Sequence, residues 1–161
     1  MKILVTGGAG FIGSFLVKEL LRREHSVTVL DNLSSATFDN LKSFRSDFTF
    51  IRSDILGEKE NDEAVKENDY IIHLAALVNV QESFKYPELY DEINTRGTLN
   101  LLKSAVKNKT KWFAFASTCA VYGKPESLPV GEHHNPRPLS PYAISKLKAE
   151  THCQAFAQKG L

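Results

Sequence analysis

Five short apolar runs recur along the chain, each closed by a polar or glycine-rich turn. They are Ile3-Leu4-Val5 within Lys2–Thr6, Val27-Thr28-Val29-Leu30, and the stretches 48–52, 69–74 and 112–116. Their branched and aromatic residues follow one another without polar alternation, which predicts strands of a parallel sheet buried on both faces. Between them the period changes. Phe11, Ile12, Phe15, Leu16 and Leu20 recur at helical spacing with Ser14, Lys18 and Arg22 opposite, so the first group is predicted to form the inner stripe. A weaker helix is predicted over 38–44, and a strongly charged, solvated one over 58–68. A long helix is predicted over 87–108, with Pro87 in its first turn. Its inner stripe takes in Tyr90, Ile93, Asn94, Gly97 and Leu101. Asn94 and Gly97 read there either as a bonded core amide and a close helix contact or as functional positions. A last helix is predicted over 142–158, with Gly160 as its stop. Strand and helix alternate, which predicts an α/β fold: a doubly wound parallel sheet with helices on both faces.

The first turn carries the most chemistry. Gly7-Gly8-Ala9-Gly10-Phe11-Ile12-Gly13 joins the first strand directly to the first helix. In such a loop one glycine permits the tight turn, one lets a pyrophosphate approach the backbone, and one lets the helix lie close. The free N–H groups at the helix start then face the phosphates. The second strand ends on Asp31, 18 residues past Gly13. That is close to the roughly 20 expected of the acid that takes the adenosine ribose. Strand, glycine loop, helix and acid together predict a dinucleotide site rather than an ordinary glycine turn.

Composition narrows the class. At 161 residues with 42% hydrophobic content the chain has the size of one domain with a sizeable core. A net charge of +1 with no basic stripe points away from nucleic acid, and Lys103, Lys107, Lys109 and Lys111 read as solvated cations at a helix end. No apolar run approaches membrane-spanning length, and Met1-Lys2 leads straight into a strand. Cys119 and Cys153 are too few for a disulfide framework, so a cytoplasmic setting is expected. The stretch 124–141 holds five of the six prolines and is predicted to be a long functional loop. Its Glu132, His133 and His134 lack further spaced ligands, so no metal site is predicted.

Tyr142 and Lys146 stand four apart at the start of the last helix and share a face. A phenol is a poor base near neutrality, but an adjacent ammonium and the positive ring of an oxidised nicotinamide both favour the phenolate. Tyr142 is therefore a candidate general base for a substrate hydroxyl whose carbon loses hydride. The Tyr-x-x-x-Lys spacing is common in helices. Behind a dinucleotide loop and a strand ending in Ser117-Thr118 it reads as catalytic.

The segments TGGAGFIG, DNLSS, SDI, HLAA, NTRGTLNLL, STCAVYG and SPYAISK, spread over essentially the whole chain, resemble the extended short-chain dehydrogenase/reductases. Among these the likeness is to the NAD-dependent nucleotide-sugar epimerase/dehydratase family, nearest to its UDP-glucose 4-epimerases. The resemblance implies that Gly7, Gly10, Phe11, Ile12 and Gly13 bind the pyrophosphate of NAD. It gives Asp31 and Asn32 to the adenosine ribose, and Asp54 and Ile55 to the adenine. Leu74, Ala75, Ala76 and Ser117 pass along the cofactor, with Asn94 ordering the site. Thr118 takes the place of the hydroxyl that bonds the reacting oxygen, Tyr142 is the base, and Lys146 holds both Tyr142 and the nicotinamide ribose. The family's 4,6-dehydratases carry acids just past the Ser-Thr. Here Cys119 and Ala120 stand there, which disfavours dehydration. Leu77 and Val78 stand where some relatives place a lysine, which leaves the sugar open.

The activity implied is 4-epimerisation of a nucleotide sugar, UDP-glucose/UDP-galactose in type, by transient oxidation at C4. Another nucleotide-sugar reductase, an acetamido-sugar epimerase or a non-catalytic NAD-binding module are the alternatives. The family also implies a homodimer built on the helices 87–108 and 142–158, and a second, substrate-binding half. Residues 1–161 are accordingly expected to be a truncated NAD-binding Rossmann domain whose sheet is incomplete at its C-terminal side. Such a piece is expected to bind NAD but to be inactive alone.

Overall fold

The computed structural model describes residues 1–158 and 160–161. Among these, the strands β1 (Lys2–Thr6), β2 (Ser26–Leu30), β3 (Thr49–Ile51), β4 (Tyr70–His73) and β5 (Trp112–Phe115) form one sheet in the order β3-β2-β1-β4-β5. Every pairing is parallel. The order reverses at β1, so the crevice of a doubly wound sheet opens at the carboxyl ends of β1 and β4.

The sheet is buried on both faces, as its unbroken apolar runs require. Leu4, Leu30 and Ile71 point to one side, against α2 (Glu58–Lys66) and α5 (Thr98–Lys107) through Ala64, Val65, Leu101 and Ala105. Ile3, Val5, Val27 and Val29 point to the other, against Val17 of α1 (Phe11–Arg22) and Leu41 of a 3₁₀ segment over Phe38–Asp47.

Four predicted helices differ from the sequence expectation. In α1 the buried residues are Gly13, Ser14 and Val17, whereas Phe11, Ile12 and Phe15 are largely exposed. Close contact with the sheet needs small side chains, so the glycine-serine side turns inward and the aromatic side outward. Helix α2 is not simply solvated: it buries Asn61, Ala64 and Val65. The run predicted over 87–108 is α4 (Pro87–Tyr90), a π-helical stretch over Asp91–Gly97, and α5, preceded by a short unpredicted helix α3 (Val80–Lys85). Tyr90, Asn94, Gly97 and Leu101 of the predicted stripe are buried as expected, with Ile93 half-buried. The last helix, α6, spans Pro141–Ala157 and starts on a cap in which Ser140 Oγ accepts from the Ala143 N–H. The weak helix expected over 38–44 is the longer 3₁₀ segment, kinked at Phe44. Among the described residues, no helix is long and apolar enough to cross a membrane.

Candidate functional site

The crevice above β1 and β4 is a cleft of about 670 Å³. That lies within the usual range for small-molecule sites, roughly 300–1,000 Å³. At its middle, above β1, is the glycine loop. Gly7 sits at φ +69°, and a Cβ there would come within 2.7 Å of the Ala75 amide nitrogen. A Cβ on Gly13 would stand 2.2 Å from the Gly7 carbonyl oxygen, so this loop closes only without side chains. No described side chain caps the first turn of α1, and no acid lies in it. Its orphan N–H groups and positive dipole end are therefore available to an anion. Gly10, Phe11, Ile12 and Gly13 all line the cleft beside them.

Asp31, Asn32 and Asp54 form the side wall. One Asp31 oxygen accepts from the Ala9 N–H at 3.0 Å and the other from the Leu33 N–H at 2.8 Å. Each oxygen keeps a further lone pair for a ribose hydroxyl. Asn32 Nδ2 donates to Asp54 at 2.7 Å, and the other Asp54 oxygen accepts from Leu56 N–H. These bonds tie the ends of β2 and β3 together. Ile55, Leu74, Ala75, Ala76 and Ser117 complete the lining with Tyr142 and Lys146, which stand at the end away from Asp31.

Tyr142 and Lys146 are both buried, at 8% and 4% exposure, on the first two turns of α6. The Tyr142 ring meets Tyr90 edge-on, 6.4 Å between centroids, and the Tyr90 hydroxyl donates to Glu82 at 2.8 Å. Burial, with the bond to Glu82, pushes the Tyr90 phenol up to about 12. Tyr90 therefore stays neutral and serves as a fixed wall. Lys146 Nζ lies 4.0 Å from the centre of the Phe115 ring. Burial pulls its ammonium down to about 8, against the opposing pull of Cys153 and Glu150. A cation held over an aromatic face while losing water is poised to give its charge to whatever enters the cleft.

Two predicted positions lie off the lining. Asn94, 1% exposed, meets no cleft surface: its Oδ1 accepts from Leu77 N–H at 2.8 Å, and its Nδ2 donates to Leu77 O at 2.9 Å and Ser145 Oγ at 3.0 Å. Its bonds support the wall at Leu77. Thr118 stands just past the lining, where its Oγ1 accepts from the Ala120 N–H at 3.2 Å and caps a 3₁₀ turn. That bond uses a lone pair and leaves the O–H free to donate. Ser117, which does face the cleft, donates to Glu150 on α6.

Sequence reading missed Thr6, His73 and Thr98, which are buried beneath the cleft beside the half-buried Phe115. The signal was present: Thr6 and His73 are the polar last residues of otherwise apolar strands. His134, met in the sequence as a loop residue, packs against the Tyr122 ring at 5.9 Å, outside the cleft.

A model of the NAD dependent epimerase/dehydratase family matches residues 3–161. A putative UDP-glucose 4-epimerase of Methanocaldococcus jannaschii is 40% identical over 157 residues, covering 96% of this chain and 50% of the relative. The UDP-Glc/GlcNAc 4-epimerase of Campylobacter jejuni superposes with a TM-score of 0.95 at 32% identity, over 99% of this chain and 50% of that one. The Thermus thermophilus UDP-glucose 4-epimerase, solved in complex with NAD, superposes with a TM-score of 0.92 at 39% identity, over 99% and 51%. The chain spans about half the length of these relatives.

Proposed function

The chain belongs to the NAD-dependent epimerase/dehydratase family, and we propose that its cleft binds NAD and forms the cofactor half of a nucleotide-sugar 4-epimerase of the UDP-glucose/UDP-galactose type. The observation that carries this reading is one continuous cleft in which the uncapped helix N-terminus above β1 stands between Asp31, at the end of β2, and Tyr142 with Lys146 on α6. A dinucleotide has that polarity: a diphosphate between a ribose that seeks an acid and a nicotinamide that must meet a base.

Bound NAD supplies a reversible hydride acceptor. The chain does the rest. Gly7, Gly10 and Gly13 admit the pyrophosphate, the first-turn N–H groups of α1 bind it, and Asp31 accepts from the adenosine ribose. Tyr142 takes the proton of the sugar C4 hydroxyl as that carbon is oxidised, and the Thr118 O–H donates to the same oxygen. The Lys146 charge holds the phenolate and meets the nicotinamide ribose. The 4-keto sugar turns over in the site, and Tyr142 returns the proton when the opposite face is reduced. Cys119 and Ala120 offer no acid for elimination, in keeping with epimerisation rather than dehydration.

In this reading residues 1–161 are the NAD-binding domain, and the substrate's nucleotide is held by a further half like that of the relatives. The protein works as a cytoplasmic homodimer. The paired surface is the outer face of the helices 87–108 and 142–158, where Ile144 is exposed. The test uses a chain of the relatives' length containing these residues. Incubation with NAD and UDP-glucose should yield UDP-galactose, resolved by anion-exchange chromatography. Tyr142→Phe should keep NAD bound yet lose interconversion by about 10²–10⁴-fold, the range of general base catalysis. No interconversion, or an undiminished rate in Tyr142→Phe, overturns the reading.

A further inference from the structure

We propose that His73 is a positioning residue for this site: locked as its Nε2–H tautomer, it holds the cleft wall at Ala75 and the helix of Tyr142 and Lys146 at one fixed spacing. The inference rests on the cofactor reading above.

The sheet register puts Thr6, His73 and Phe115 abreast at the carboxyl ends of β1, β4 and β5. Thr6 and Thr98 are fully buried and His73 is 1% exposed, so each polar atom needs a partner. The Thr98 hydroxyl donates to the Asn94 carbonyl at 2.6 Å. Only its lone pair is then left to face His73 Nε2, 2.9 Å away, and Nε2 must carry the hydrogen. Nδ1 is thereby bare, and accepts from the Thr6 hydroxyl at 2.6 Å. Thr6 Oγ1 in turn accepts from the Ala75 N–H at 3.3 Å. Every donor has one acceptor, and the direction of each bond is fixed from the cleft wall to the π stretch. Beyond Asn94 the path continues through Ser145 Oγ, which donates to the Tyr142 carbonyl at 2.8 Å.

A second arm runs through rings. The imidazole centroid lies 5.6 Å from that of Phe115, the ring under the Lys146 ammonium. A protonated imidazole would break the bond from Thr6 and place a second cation one ring away from Lys146. Burial, reinforced by the Lys146 charge, holds the imidazole down to about 3, so the neutral form persists at working pH.

Two measurements test the role. In ¹⁵N NMR of the parent chain, His73 should show a protonated Nε2 and a bare Nδ1 from pH 7.5 to 5. An Nδ1–H tautomer, or titration near the ordinary histidine value, overturns the proposal. Calorimetry with NAD and with ADP then separates positioning from stability. ADP reaches only the Asp31 end of the cleft, whereas NAD also meets Tyr142 and Lys146. Thr98→Val should weaken NAD about tenfold, the worth of one well-placed hydrogen bond. It should leave ADP unchanged, and Thr98→Ser should restore NAD. Equal losses for both nucleotides, or none, overturn it. A parent chain that binds neither nucleotide overturns the cofactor reading and the positioning role with it, while the tautomer still reports on the bonds themselves. If Thr98→Val does not fold, the tautomer decides.

Discussion

Asp31 turns one carboxylate to two tasks, accepting from Ala9 and Leu33 while facing the cleft. A 2′-phosphate would bring its charge against this carboxylate, and neighbouring Asn32 is engaged with Asp54 and carries no compensating charge. Titration with both nucleotides should therefore show NAD bound more tightly than NADP; equal or tighter NADP binding contradicts the assignment. The residues visible in the sequence were those whose type alone is diagnostic: glycines at a strand–helix turn, an acid at a strand end, Tyr and Lys four apart. Asn94 was visible as an anomaly, but its partner Leu77 lies 17 positions away, and no local pattern shows whether an inward amide meets a cofactor or a backbone. His73 was hidden for a similar reason. Its bonds reach Thr6 and Thr98, 67 and 25 positions away, so its role exists only once the sheet has formed.

At the scale of elements, the alternation of strands and helices followed directly from period and run length, and the misreadings arose where tertiary contact overrides periodicity. Helix α1 has an apolar stripe at helical spacing, yet the loop geometry demands small residues against the sheet and so turns Phe11, Ile12 and Phe15 outward, while Leu16 and Leu20 still pack against the core. Helix α2 reads as all charge because its sheet-facing surface is only Ala64, Val65 and Asn61 wide. Its Asp62 accepts from Ser104 and Asn108 and pairs with Lys107, clamping α2 to the end of α5. Those bonds, led by the one from Lys107, hold the Asp62 carboxyl at about 2, below its ordinary 3.8. The depressed value fixes the sign: the clamp stabilises the fold above pH ~4 and is lost as pH falls toward about 2. Asp62→Asn should accordingly lower the urea midpoint at pH 7, and the gap to the parent should close between pH 4 and 2. A gap that persists unchanged at pH 2 removes the clamp from the account. The π stretch had no signature in the sequence, because widening one turn changes which residue faces inward without changing composition.

Across the whole molecule, the doubly wound order places the reversal of the sheet at β1, so loop, acid wall and the helix of Tyr142 and Lys146 converge on one crevice although that helix begins more than a hundred residues beyond the loop. That convergence is the central claim, and it concerns the cofactor rather than the sugar. The chain spans about half the length of its relatives. Yet every group assigned to the pyrophosphate and the adenosine stands within the described fold. The most direct measurement is calorimetric titration of the 161-residue chain with NAD, beside Gly13→Ala. The parent should bind one NAD per chain. The variant, whose methyl would stand 2.2 Å from the Gly7 carbonyl oxygen, should bind far more weakly at unchanged secondary structure. A folded parent that gives no binding heat at millimolar NAD, or a Gly13→Ala chain that binds as the parent does, would contradict the account.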